Sequence, residues 1–178
     1  MRSASSGGVR MERGPAILLA DGYNILMAWE KAGDMELSHA REALIERMDN
    51  YAGATGIRCI LVFDGHRAEG NPGSVASWDT MEVVYTRTGQ SADSYIERTC
   101  FELMERGCRV AVVSGDGMIQ SLALGMGALR VTPREFLREM ERAAQEVLRQ
   151  QPAGRERISL LDGADARTVA ILERMRRE

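Results

Sequence analysis

Three short apolar runs in this chain end in the same dipeptide: AILLA runs into Asp21-Gly22, ILVF into Asp64-Gly65 and VVSG into Asp116-Gly117. One Asp-Gly after a strand is ordinarily only a turn, because both residues accept turn geometry. Three of them, after runs too apolar for half-exposed hairpins, predict loops at the carboxyl ends of parallel strands. Such loops share one sheet edge and line its ligand crevice. A fourth carboxylate, Asp93, stands in TGQSADSYIER directly after the apolar EVVY, and Glu97 lies four residues on, on the same helical face. Taken singly, Asp93 is a first-turn charge that suits a helix dipole, and Glu97 a solvated or Arg-paired one. Taken together, these acids repel unless something cationic compensates. With oxygen ligands abundant and no His or Cys set to match, the ion expected is hard, Mg²⁺ or Mn²⁺. That site suits metal-assisted phosphoryl chemistry.

The elements that must position these acids follow from hydrophobic periodicity. Strands are expected at 16–20, 57–63, 82–85, 109–113 and 128–131, the second and fourth apolar enough to be buried on both faces. Ser38 is the expected cap of a helix with Ala40, Leu44, Met48 and Tyr51 inward, punctuated by Gly53 and Gly56. Ser91 opens a second helix, with Tyr95, Ile96, Thr99, Cys100 and Leu103 inward and Gly107 at its end. A third spans about 116–124. A fourth begins at Thr132-Pro133 and runs to about Gln150. This alternation implies right-handed crossovers and a three-layer α/β fold, with a mostly parallel central sheet and flanking helices.

Length and composition narrow the chemistry further. At 178 residues the chain holds one domain and an appendage. The expected division is a flexible leader over 1–14, a domain over 15–150 and a C-terminal helical extension over 151–178. Of the 23 basic residues only Lys31 is a lysine, which excludes a P-loop and Schiff-base chemistry; two histidines exclude a three-His zinc site. A net charge of −3 argues against a sequence-independent cationic wrap around a duplex. Three cysteines without CxxC spacing, no apolar signal region in 1–14 and no membrane-length apolar run lead us to expect a cytoplasmic protein. GDGMIQ imitates part of a dinucleotide fingerprint, but Gln120 stands where its third glycine belongs.

The segments LLADGYNI, LVFDGHRAEG, GSVASWDTMEVVYTRTGQSADSYIER, VVSGDGMIQ and GALRVTPREF resemble, in order and spacing, the YacP-like NYN-domain family, a branch of the PIN-like metal-dependent nucleases. The resemblance covers roughly 16–150, and VVYTRTGQSADSYIER is its most specific part. It implies a PIN-like fold, an acidic Mg²⁺ or Mn²⁺ site, and a ribosome-associated endoribonuclease that cleaves messenger RNA. By position it makes Asp21 and Asn24 of DGYN, Asp64, Asp93 and Asp116 the catalytic candidates.

Within that set we expect Asp21, Asp93 and Asp116 to anchor metal. Asp64 supports them directly or through water, and Asn24 orients a phosphate or a carboxylate. Arg67, Arg87 and Ser114 are the substrate-binding candidates; arginine in a loop beside the acids can hold phosphate bidentately, though either arginine is equally well a solvated surface charge. Trp29 and Trp78 could stack bases, but packing is the commoner role. Relatives commonly carry Thr-Ser-Asp where this chain has Ser114-Gly115-Asp116. That departure motivates one alternative, a non-catalytic RNA-binding or ribosome-docking module. A phosphatase-like or receiver-like protein is disfavoured by the missing DxDxT run.

Overall fold

The structure, a computed structural model, describes residues 16–65, 72–77 and 80–150. The expected leader, Arg67, Trp78 and the extension over 151–178 lie outside the described residues. The chain divides into two units, Met1–Glu146 and Val147–Glu178, and the first holds the sheet.

Six strands form one sheet: β1 (Ala16–Asp21), β2 (Arg58–Phe63), β3 (Ser74–Ser77), β4 (Met81–Tyr85), β5 (Arg109–Val113) and β6 (Leu129–Val131). Their spatial order is β3-β4-β2-β1-β5-β6, and every pair is parallel except β3 with β4. The helices are α1 (Gly22–Ala28), α2 (Leu37–Thr55), α3 (Ala92–Glu105), α4 (Gly117–Gly125) and α5 (Pro133–Gln150). Alternate strand residues build two cores. Leu18, Ala20, Leu61, Phe63, Ala111 and Val113 pack with Ile25, Leu44, Met48 and Phe136 of α1, α2 and α5. Leu19, Ile60, Val62, Val110 and Val112 pack with Ile96, Cys100, Ile119 and Ala123 of α3 and α4. The result is the expected three layers. Among the described residues no helix is long and apolar enough to cross a membrane.

Two local expectations need correction, and three elements were not foreseen: α1, a 3-10 turn over Glu30–Asp34, and β3. Helix α2 starts at Leu37 behind an extended Glu36, so Ser38 lies inside the first turn and donates its hydroxyl to the Glu36 carboxylate rather than capping the helix. The helix also runs through Gly53 and stops only at Gly56, whose φ of +70° suits glycine. Strand β3 carries no apolar signal, since all four of its residues are exposed; it exists because it pairs with the edge of β4. The other helix starts are as read. Ser91 accepts the Ser94 N–H, and Thr132 and Glu135 form a reciprocal capping box behind Pro133. Trp29 is buried with the Arg47 guanidinium 4.9 Å from its ring centroid, which makes it a packing residue.

Candidate active site

The sheet register sets the site. Asp21 is level with Val62, and Ala20 with Val113, so Asp21, Asp64 and Asp116 all leave the same carboxyl edge. From β1 the chain builds one half of the sheet through β2 and β4, then returns to the other side of β1 as β5. The gap between β1 and β5 is therefore the topological switch point, where crossover loops part and leave a crevice. A cavity of about 350 Å³ opens there. It is lined by Asp21, Asn24, Asp64, Asp93 and Asp116, together with Tyr23, Ala92 and Gly115.

Each acid is held by its own element. Asp21 ends β1 and caps α1: Oδ1 accepts the Asn24 N–H at 3.0 Å, and Oδ2 accepts Asn24 Nδ2 at 2.5 Å. The residue is only 5% exposed, and burial raises its pKa against the lowering effect of the Asn24 and Tyr23 hydrogen bonds. Asp116 caps α4, with Oδ1 accepting the N–H groups of Met118 at 2.7 Å and Ile119 at 3.2 Å. Asp93 enters from the first turn of α3. Its pKa is also raised, first by burial and then by repulsion from Asp21, Asp116 and Asp64. Asp64 completes the ring from the loop after β2.

Asn24 links two of these supports. While its amide nitrogen holds Asp21, its Oδ1 accepts the Gly115 N–H at 2.9 Å. Of the two roles expected for this amide, the geometry serves the carboxylate. Gly115 has a steric reason to be glycine, because a Cβ there would lie 2.5 Å from Asn24 Oδ1. Tyr23 and Gly115 both line the cavity; Tyr23 did not stand out in the sequence, and Gly115 did so only as a departure from the family's run. Gly115 could have been found, since glycine before a capping Asp suggests close approach of another chain segment.

The remaining candidates among the described residues are not brought in. Glu97 is exposed and does not line the cavity; Arg87 is exposed and also outside the lining. Ser114 is fully buried and its Oγ accepts the Asp116 N–H at 3.0 Å, so it positions that acid's backbone rather than facing the cavity.

Among the described residues no three His, Cys, Asp or Glu side chains converge into a coordination shell. The acids ring a cavity instead of clasping a point. This donor set, oxygen only and several times anionic, fits a hard cation that keeps part of its water shell, as Mg²⁺ does. After burial, the second cause of Asp93's raised proton affinity has the same origin: its neighbours' negative charge favours any added positive charge.

Comparison with known proteins agrees with this fold. Over 153 residues the chain is 34% identical to the uncharacterised protein YacP of Bacillus subtilis (strain 168), covering 80% of this chain and 89% of that one. A crystal structure of Rae1 (YacP) from Bacillus subtilis superposes with a TM-score of 0.64 at 31% identity, covering 90% of each chain. A single-substitution variant of the same protein gives 0.65 at 34% identity, covering 75% of this chain and 80% of that one. The model of the YacP-like NYN domain matches residues 18–177. The chain therefore belongs to the YacP-like NYN domain family, whose domain is of the PIN-like nuclease type.

Proposed function

We propose that this protein is a Mg²⁺- or Mn²⁺-dependent endoribonuclease that hydrolyses phosphodiester bonds in single-stranded RNA. Its intended substrate is messenger RNA, met in the cytoplasm on the ribosome. The observation that carries this reading is the convergence of Asp21, Asp64, Asp93 and Asp116 on one cavity at the switch point of the sheet. When bound, the cation supplies charge neutralisation at the scissile phosphate and lowers the pKa of the attacking water. Asp21, Asp93 and Asp116 would hold it, and Asp64 would orient water on the open side. Asn24 keeps Asp21 in one rotamer by holding both of its oxygens. In-line attack leaves 5′-phosphate and 3′-hydroxyl ends. Residues 15–150 make up the nuclease domain in this reading, and 151–178 a helical extension that aids stability or recruitment.

The retention of all four acids on one cavity weighs against the non-catalytic alternative. The glycine of Ser114-Gly115-Asp116 is explained by the close approach of Asn24, so this departure supports the site instead of dismantling it. The test combines cleavage with metal binding. Wild-type protein should cut unstructured RNA only with Mg²⁺ or Mn²⁺, and Asp93→Asn should lose activity by orders of magnitude. Thermal stability should rise with Mn²⁺, by about 2.7 kcal/mol at a hundredfold excess over the dissociation constant, and much less in Asp93→Asn. Identical melting responses in the two proteins, or none across millimolar metal, would return the chain to a binding module.

A further inference from the structure

A cavity ringed by carboxylates repels the phosphates that a nuclease must admit, so cationic side chains are needed near its mouth. Helix α5 begins against the cavity wall: Pro133 Cγ lies 3.8 Å from the point where a Cβ on Gly115 would stand. From that end Arg134, Arg138 and Arg142 follow at steps of four residues, all exposed. The buried residues of α5 include Phe136, Leu137 and Met140. At 3.6 residues per turn the three arginines share one stripe on the opposite, solvent side, rising about 6 Å per step. Four acids border the stripe: Glu135, Glu139, Glu141, which meets Arg47 at 3.8 Å, and Glu146, four residues beyond Arg142. Glu135 is drawn back to the Thr132 N–H and hydroxyl, at 2.9 and 2.7 Å. Glu139 meets Arg142 at 3.5 Å, an exposed pair of the kind that contributes little and that a phosphate can displace.

We propose that Arg134, Arg138 and Arg142 form a phosphate track along which the single-stranded RNA substrate leaves the carboxylate cavity. The inference rests on the nuclease reading above and adds the direction of the strand. Spacing the charges along a helix lets successive guanidiniums take separate phosphates, each by a bidentate contact, without reading bases.

The test uses the full chain with all three arginines changed to Ala, and a second variant with all three changed to Lys. Two substrates are compared: a long unstructured oligoribonucleotide, and bis(p-nitrophenyl) phosphate, a diester small enough to meet the cavity alone. In the Ala variant the log–log salt slope of RNA binding should fall by about two, since each single-strand phosphate contact contributes about 0.7. KM for the long RNA should rise at least tenfold, while kcat/KM on the small diester stays at the wild-type value. The Lys variant should keep most of the slope. An unchanged slope and KM in the Ala variant, or equal losses on both substrates, would overturn the track. If wild type cleaves neither substrate the nuclease reading falls, and the binding slope still decides the track.

Discussion

Changing Gly115 to alanine places one methyl group 2.5 Å from Asn24 Oδ1, where ordinary contact begins at 3.4 Å. Gly115 is not among the glycines with positive φ, so its backbone accepts alanine and the collision is the whole perturbation. The amide must retreat by roughly 1 Å, and it cannot do so freely. It accepts the Gly115 N–H and donates to Asp21 Oδ2 from within the first turn of α1. Losing the neutral bond costs about 1 kcal/mol, and loosening the charge-assisted one about 1.5–3 kcal/mol. The stiffer unfolded chain returns about 0.4–1 kcal/mol. The net loss is about 1.5–3.5 kcal/mol, or a fall in Tm of about 3–14 °C for a chain of this size. Because Asp21 loses its anchor, cleavage should drop on the order of a hundredfold, the usual cost of a displacement near 1 Å at a reacting centre. Thermal melts and RNA cleavage would be run beside Gly53→Ala. That control adds a methyl inside α2 with nothing within 4 Å and should stabilise by about 0.5–1 kcal/mol. The decisive protein is the double variant Gly115→Ala, Asn24→Ala. With the colliding atom gone it should be no worse than Asn24→Ala alone. Additive losses, or full activity in Gly115→Ala, would refute the steric link.

Two further outcomes follow from the acids. Asp21 and Asp93 have pKa values raised in the folded state, so the stability they contribute is present at acid pH and is lost as pH rises through those folded values. In metal-free urea unfolding, Asp93→Asn should therefore match or exceed wild type at neutral pH, with the difference closing as pH falls below the ordinary carboxylate range; a mutant weaker at neutral pH contradicts this. Asp116 is both a site acid and the cap of α4, which allows the two roles to be separated. Asp116→Asn keeps an acceptor for the Met118 and Ile119 N–H groups, whereas Asp116→Ala forfeits about 0.5–2 kcal/mol; both should lose cleavage, but only the alanine variant should melt lower, and equal melting temperatures would deny the cap.

Much of this protein is legible from local patterns, because its central strands are buried on both faces and read as apolar runs. The strand RVAVV was bounded to the residue, and Asp116 and Thr132 announce their helices by capping chemistry that acts within three or four positions. The four acids were identifiable since each directly follows a strand or opens a helix, and a parallel sheet sends all such ends to one edge. Local pattern fails where the determinant is a distant partner. SVAS becomes a strand only through pairing with β4, and Ser38 yields its cap because the chain is still extended at Glu36. Glu97 and Arg87 are plausible by spacing, yet both are exposed beside a cavity whose lining excludes them. Only the tertiary structure gave the departure at Gly115 a steric account, because its neighbour, Asn24, is 91 positions away in the chain. Residue types and short spacings thus specified which groups could do the chemistry. Which of them face one another was decided by the crossovers around β1, whose register no local sequence encodes.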